Sequence, residues 1–391
     1  MTLHPTQQAA VDAAISKRIS IITGGAGTGK TTIIKAIAEA TPGTVHLCAF
    51  AGKAAARLRE ATGRGATTIH RLLMYQGDRF ALDDLRGKTV IVDEASMVDS
   101  HLLAEICRRK PKRLVLVGDD AQLPPVGRAQ PFHDLIALRP DLVSNLTACY
   151  RNQAAVYDAS MSIRRGEVPQ WQADYENERW TVENSGDAQA TQDYILRIVR
   201  DKLIEFKDGT DIILAPKNGE PGMPCSVRGL NAAIVDLVNP RSEEDIKKRR
   251  RLKPGDRVIN TKNNANLDIW NGTTGTINSI DLDGTVFFKP DDPVQSGDEY
   301  VTVPKDAAKH LELGYALTVH KSQGSQYRRV IFCCLQRDTY SLDRALVYTA
   351  VTRTQSQCLV AGQRSALAAA INRVRHKWTV TQEIGKTDVQ H

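Results

Sequence analysis

Through the first 150 residues, short apolar runs alternate with segments of helical periodicity. Arg18-Ile19-Ser20-Ile21-Ile22-Thr23, Val45–Phe50, Thr89–Val92 and Arg113–Val117 read as buried strands, each ending at a polar or glycine-bearing loop. Between the first two, Thr31–Glu39 has helical spacing, with Ile33, Ile34, Ile37 and Ala38 on one face. Apolar strands separated by helices predict a parallel sheet covered on both faces, whose ligands gather at the strand C-termini. A second α/β set follows, with strands expected at Asp211–Ala215, Arg329–Leu335 and Gln357–Ala361.

Two segments interrupt this alternation. Leu73–Leu82 predicts a small hairpin turning at Gly77-Asp78, with Tyr75 and Phe80 on its flanking strands. From Asn271 to Val303 the pattern changes to short strands, Thr276–Ile280, Val286–Phe288 and Tyr300–Val303, with a turn at Asp283-Gly284. That predicts a small all-β insertion, with Pro290–Asp298 as a loop. The expected division is therefore 1–70 with 88–155 as one domain and 156–270 with 304–391 as another. Residues 71–87 form a hairpin insertion in the first, and 271–303 an all-β insertion in the second. No internal repeat or low-complexity tract is present.

Composition narrows the class. A chain of 391 residues exceeds one ordinary core, and 41% hydrophobic with 25% charged residues is usual for a soluble protein. No stretch approaches a membrane span, and MTLHPTQQ lacks the regions of a signal peptide. Seven cysteines without a C-x-x-C pair argue for a reducing, cytoplasmic setting and against a disulfide framework or a zinc site. The net charge of +7 and pI near 9.0 fit a polyanionic partner without establishing one. The block Lys247-Lys248-Arg249-Arg250-Arg251 is either a solvated face or a phosphate contact.

The chemistry begins at Gly24-Gly25-Ala26-Gly27-Thr28-Gly29-Lys30-Thr31, which has the spacing of a P-loop between a strand and a helix. Its backbone amides would converge on phosphates, Lys30 would place a charge between them and Thr31 would offer a hydroxyl to Mg²⁺. Gly25, Ala26, Gly27, Thr28, Gly29, Lys30, Thr31 and Thr32 are thus the expected nucleotide-binding residues. Val90-Ile91-Val92-Asp93-Glu94 sets two carboxylates at a strand end, Asp93 suited to holding Mg²⁺ with Thr31, and Glu94 to orienting or deprotonating the attacking water. Gln122, in Gly118-Asp119-Asp120-Ala121-Gln122-Leu123-Pro124-Pro125, is an uncharged amide placed to sense a γ-phosphate.

With Asp93-Glu94-Ala95-Ser96 and the Gln122 segment, three later runs complete an ordered set: Cys149-Tyr150-Arg151, Val319-His320-Lys321-Ser322-Gln323-Gly324 and Tyr348-Thr349-Ala350-Val351-Thr352-Arg353. The set resembles motifs II to VI of superfamily 1 helicases, in the 1B branch that contains RecD and Dda, and it covers nearly the whole chain. Ile213-Leu214-Ala215-Pro216 and Gly255-Asp256-Arg257-Val258 through Asn271-Gly272 look RecD-like too. The resemblance implies an α/β fold of two RecA-like P-loop domains, the hairpin acting as a duplex-splitting pin and the β insertion as an SH3-like module. It implies an ATP- and Mg²⁺-dependent DNA helicase that moves 5′→3′ on single-stranded DNA. The alternatives are a translocase that displaces proteins, or the motor subunit of a recombination or mobilisation complex.

Residue roles follow from the same resemblance. Gln7 matches an adenine-reading glutamine. Arg151 and Arg353 match arginine fingers on the γ-phosphate, each alternatively a surface ion pair. Thr67-Thr68-Ile69-His70 and His320-Lys321-Ser322 resemble segments that lie along the single strand, so Thr68, His70, His320, Lys321 and Ser322 are expected DNA contacts, with Lys53 and Pro124. Ala49-Phe50-Ala51-Gly52-Lys53 departs from the family's Ala-Pro-Thr/Ser pattern, leaving Phe50 either core or a base-stacking platform. Tyr75 and Phe80 either split the duplex or pack the hairpin onto its domain. Single-stranded DNA and duplex junctions are the implied partners, with a single-strand-binding, recombination or replication protein compatible. No membrane association is expected, and the protein is expected to be a monomer.

Overall fold

The computed structural model describes residues 3–127, 129–148, 154–170, 180–243, 245, 251–292 and 297–375. Two compact units divide near Asn152, the second running over Gln153–Val374.

The first unit is built on a six-stranded parallel sheet in the order β3-β2-β4-β5-β1-β6. Its strands are β1 (Ile19–Gly24), β2 (Val45–Ala49), β3 (Ala66–Thr68), β4 (Thr89–Asp93), β5 (Arg113–Gly118) and β6 (Val143–Leu146). Strand alternation puts successive side chains on opposite faces, and here both faces are dry. Ile22, Leu47, Ile91, Val115 and Val117 pack with Val11, Ile33, Ile34 and Ile37 from the helices Pro5–Ser16 and Lys30–Ala40. Their neighbours Ile21, Cys48, Val90, Val92, Leu114 and Leu116 pack on the other side with Ile69, Leu102, Ile106 and Phe132. This is why the strands read as continuous apolar runs.

The second unit contains another parallel sheet, β14-β8-β15-β16-β7. It is formed by β7 (Trp180–Asn184), β8 (Asp211–Ala215), β14 (Ala316–Thr318), β15 (Tyr327–Cys334) and β16 (Thr354–Gly362). The helices Ala188–Arg200 and Val227–Val238 cover one face through Ile195, Ile198, Leu230 and Ile234, packed on Ile213, Ile331 and Leu359.

The all-β portion of this unit is wider than Asn271–Val303. A five-stranded antiparallel sheet, β12-β11-β10-β9-β13, comprises β9 (Arg257–Asn260), β10 (Thr274–Ile280), β11 (Val286–Pro290), β12 (Val301–Val303) and β13 (Leu311–Leu313). Its core is Val258, Ile277, Val286, Phe288, Val303 and Leu311. Strand β9 escapes a period-two reading because all four of its residues are buried, Asn260 by donating to the Lys262 and Trp270 carbonyls. Pro290, expected in a loop, is the last residue of β11. The basic block beyond its Arg251 end and residues 293–296 of the expected loop lie outside the described residues. No described helix is long and apolar enough to cross a membrane.

The hairpin is reduced to a single antiparallel bridge, Tyr75 with Phe80. The Gln76 amide donates to the Arg79 carbonyl at 2.8 Å, and Gly77, at φ +98°, supplies the left-handed turn residue. The two aromatics therefore face each other across the turn, with ring centroids 5.0 Å apart.

Candidate active site

The six-stranded sheet assembles the site by register. Strand β5 lies between β1 and β4, pairing Thr23 with Gly118 and Val92 with Leu116. The P-loop, the acidic pair and the Gln122 loop thus leave the same edge of three adjacent strands. Thr23 Oγ1 donates to Asp120 Oδ1 at 2.6 Å, tying the end of β1 to the Gln122 loop.

The loop itself depends on its glycines. Gly27 and Gly29 are left-handed at φ +83° and +81°. A Cβ on Gly24 would lie 2.8 Å from the Leu146 Cβ and 2.7 Å from the Thr28 hydroxyl. The helix Lys30–Ala40 begins at Gly29 with no side-chain cap, so its first amides remain available to an anion. Lys30 Nζ donates to the Gly24 and Gly25 carbonyls at 2.7 and 3.0 Å, which holds the ammonium over the loop. Gly25 and Thr28 are buried, whereas Ala26, Gly27, Gly29, Thr31 and Thr32 form a half-exposed rim. Gln7 is buried with its amide engaged: Oε1 accepts from the His4 amide at 3.1 Å and Nε2 donates to the Thr28 carbonyl at 3.2 Å. The residue proposed to read the base is thus bonded to the phosphate loop.

Opposite the loop, burial pushes Asp93 up to about 6, reinforced by the Glu94 carboxylate. The Glu94 amide, Lys30 and Arg57 pull the other way, the amide donating to Asp93 Oδ1 at 2.9 Å. Glu94 itself adopts left-handed backbone angles, φ 51° and ψ 42°, uncommon for a residue with a side chain. Its Oε2 is buried without a hydrogen-bond partner among the described residues, as is Gln122 Oε1. Two orphaned acceptors beside a carboxylate whose ionisation is suppressed by burial fit a hydrated divalent cation and a water held for attack. Gln122 Nε2 donates to Asp119 Oδ2 at 3.3 Å, so the end left over is an acceptor suited to a water proton. Asp119, fully buried, also receives the Ala121 amide at 3.1 Å. The roles of Asp119, Asp120 and Arg57 were not evident in the sequence, where only the acidic pair after Gly118 hinted at a structured strand end.

On the same unit, four expected strand contacts come together around His70. Its ring centroid lies 6.3 Å from Phe50, 5.5 Å from Tyr75 and 6.0 Å from Phe80. Burial lowers the imidazole's pKa, so it reads as a neutral packing and hydrogen-bonding group. Phe50 and Phe80 are half-buried against the core, whereas Tyr75 is 48% exposed. Thr68 Oγ1 caps the turn Ile69–Leu72 by accepting the Arg71 amide at 3.2 Å. Lys53 opens the helix Gly52–Thr62, and Pro124 is half-buried two residues after Gln122.

In the second unit, His320 is exposed and Lys321 half-exposed on the turn after β14, with Lys321 Nζ 3.7 Å from Glu312. Ser322 is fully buried and its hydroxyl donates to the Val319 carbonyl at 2.8 Å, so it shapes this turn. Arg353 is 3% exposed at the end of the helix Arg344–Thr352. Its guanidinium donates to the Thr349 and Ser325 carbonyls at 3.2 and 3.3 Å, which excludes the surface position that an exposed ion pair would need. Arg151 lies outside the described residues.

Family models match three parts of the chain: an AAA domain over residues 2–185, an ATP-dependent RecD-like DNA helicase SH3 domain over 230–288, and a UvrD-like helicase C-terminal domain over 313–361. The RecBCD enzyme subunit RecD of Mycobacterium tuberculosis is 30% identical over 450 residues, covering 95% of this chain and 72% of that protein. The chain belongs to the RecD-like family of superfamily 1B helicases. The ATP-dependent RecD2 DNA helicase of Deinococcus radiodurans is 33% identical over 390 residues. That match covers 95% of this chain and 51% of the relative, so the chain spans about half of that protein's length. A Bacteroides Pif1 helicase, solved with ADP-AlF3 and ssDNA, superposes with a TM-score of 0.60 at 16% identity, over 100% of this chain and 98% of that one. The Candida albicans Pif1 helicase gives 0.56 at 20% identity, over 94% and 98%. The two Pif1 likenesses speak to the fold.

Lys30→Ala should abolish ATP turnover while leaving nucleotide-free single-strand binding unchanged, because among the described residues the lysine bonds P-loop carbonyls and acts electrostatically on Asp93, not on the expected strand contacts. A parallel loss of strand affinity in the folded variant would contradict this separation. Asp93→Asn should stabilise the metal-free protein. The raised pKa means the folded state takes up a proton early, so the wild type loses stability as pH climbs from 3.8 to about 6. The gain of Asn, about 1–2 kcal/mol after discounting for the carboxylate's residual solvent access and its coupling to Glu94, should be complete above that window and vanish below it. Thermal melts across pH would show it; a pH-independent difference would contradict it.

Proposed function

We propose that the chain is an ATP- and Mg²⁺-dependent DNA helicase motor that moves 5′→3′ along single-stranded DNA and opens duplex ahead of it. The observation that carries this reading is the P-loop and the Asp93-Glu94 pair at one sheet edge, with Glu94 Oε2 left unpartnered among the described residues. Lys30 exchanges its loop carbonyls for the β- and γ-phosphates, and the amides at the start of the helix Lys30–Ala40 hold the rest of the phosphate chain. Thr31 and Asp93 hold Mg²⁺, which when bound neutralises developing phosphate charge. Glu94 orients water and takes one proton from it, and Gln122 Oε1 accepts a hydrogen bond from its other O–H. Gln7 reads adenine through the remaining N–H of its amide. Arg353 and Arg151 act as fingers on the γ-phosphate.

The DNA assignment rests on membership of the family and on the names of the relatives, among them the Deinococcus DNA helicase and the Bacteroides Pif1 helicase solved with ssDNA. On the first unit, the cluster around His70 with exposed Tyr75 offers bases a stacking surface. On the second, His320 and Lys321 supply phosphate contacts. A motor working inside a larger assembly is the second reading. It is favoured by the match to mycobacterial RecD subunits, and by Sinorhizobium fredii TraA, a probable conjugal transfer protein of which this chain covers 32% at 31% identity.

Unwinding of 5′-tailed, 3′-tailed and blunt duplexes at stated salt tests the proposal. ATP-dependent opening of the 5′-tailed substrate alone is expected; opening from the 3′ tail would refute the direction, and none at all the helicase activity. Arg353→Ala should lower DNA-stimulated kcat by about 10³-fold with little change in KM, since a finger acts on transition-state charge. Near-normal kcat would make Arg353 a structural residue held by the Thr349 and Ser325 carbonyls.

A further inference from the structure

Arg109 belongs to none of the nucleotide or strand motifs, yet it is only 8% exposed. A buried guanidinium must satisfy its donors, and the bonds of this one converge on the hairpin. Nε donates to the Leu82 carbonyl, and Nη2 to the Phe80 carbonyl at 2.9 Å. The other fork nitrogen, Nη1, donates to the Glu105 carboxylate at 2.7 Å and the Glu105 carbonyl at 2.6 Å. The Arg109 carbonyl accepts from the Leu85 amide at 2.8 Å, and its guanidinium carbon lies 5.8 Å from the Phe80 ring centre.

The helix that ends at Arg109 starts near the nucleotide site. Asp93 and Glu94 lead through the turn Ala95–Met97 to Asp99, which caps the helix Ser100–Arg108 by accepting the Leu102 amide at 2.9 Å. His101, in its first turn, sets its ring 6.1 Å from Phe80. One nine-residue helix therefore connects the catalytic carboxylates to both the ring and the backbone of the hairpin.

We infer that Arg109, braced by Glu105, is a positioning residue that locks the hairpin to the helix descending from the acidic pair, so that nucleotide turnover is mechanically linked to strand separation. The inference rests on the proposed unwinding activity, with the hairpin as its splitting element. Removing the clamp leaves the phosphate loop and the strand contacts outside the hairpin in place and lets the hairpin yield against the duplex.

The test compares fork unwinding, single-strand-stimulated ATPase and thermal stability in wild type, Arg109→Met with Glu105→Gln, and Arg109→Lys. The double substitution keeps side-chain volume and leaves no buried unpaired charge, since Arg108, which also bonds Glu105, is 64% exposed and stays solvated. It should lower base pairs opened per ATP by about tenfold or more, as expected when a working part loses its exact placement. ATPase should stay within about twofold. Lysine keeps the charge but lacks the fork that spans three carbonyls and a carboxylate, so it should resemble the double variant. Full rescue by lysine, an equal fall in ATPase and unwinding, or unchanged unwinding would each overturn the clamp. A wild type that hydrolyses ATP on single strands yet opens no fork would instead overturn the unwinding reading itself.

Discussion

The parallel pairing of β5 between β1 and β4 is the constraint on which the first unit depends. In a parallel sheet every strand ends on the same edge, so three loops far apart in sequence become neighbours. Parallel neighbours require crossovers, and the crossovers supply helices that bury both faces. The same requirement that dries the core on two sides thus gathers phosphate loop, carboxylates and amide at one rim. The Thr23 to Asp120 bond pins that rim where the strands themselves have already ended.

The site is held together against local preferences. Glu94 sits in a left-handed conformation that costs about 1 kcal/mol or more for a residue with a side chain. Asp93 resists ionisation through its burial. Both penalties are borne by the packing behind them, where Val90, Val92, Leu114 and Leu116 are almost wholly buried. Reactive geometry of this kind survives because the hydrophobic layers on either side of the sheet over-determine the backbone at its edge.

What could be read from the sequence was what is local. The P-loop is eight consecutive residues between a strand and a helix, and the acidic pair directly ends its own strand, so neither needs tertiary context. The short strands Ala66–Thr68 and Ala316–Thr318 were missed because three residues carry no periodicity; pairing with β2 and β8 makes them strands. The inward direction of the Ser322 hydroxyl was not legible either, because only the turn geometry sets it. The four rings at His70 come from three separate stretches of chain, so no spacing could have grouped them. Arg109 looked like one more basic residue in Arg108-Arg109-Lys110, since a clamp is defined by the carbonyls that it meets.

The antiparallel sheet of the second unit has a property of a different order. Its β9 and β13 are partners, Leu311 opposite Asn260 and Leu313 opposite Val258, so the chain enters and leaves the module side by side. The Gly314 amide closes this stem on the Arg257 carbonyl, and β14 resumes the parallel sheet two residues later. Beyond this neck the module touches its host near Gly209, where an added Cβ would lie 2.5 Å from Asp291 Oδ2 and 3.2 Å from Arg257 Nη2. Loops within it can lengthen, shorten or be exchanged while the parallel strands keep their register, because any replacement need only return its ends to two adjacent positions. The neck makes the module's outer loops a natural graft point for redesign.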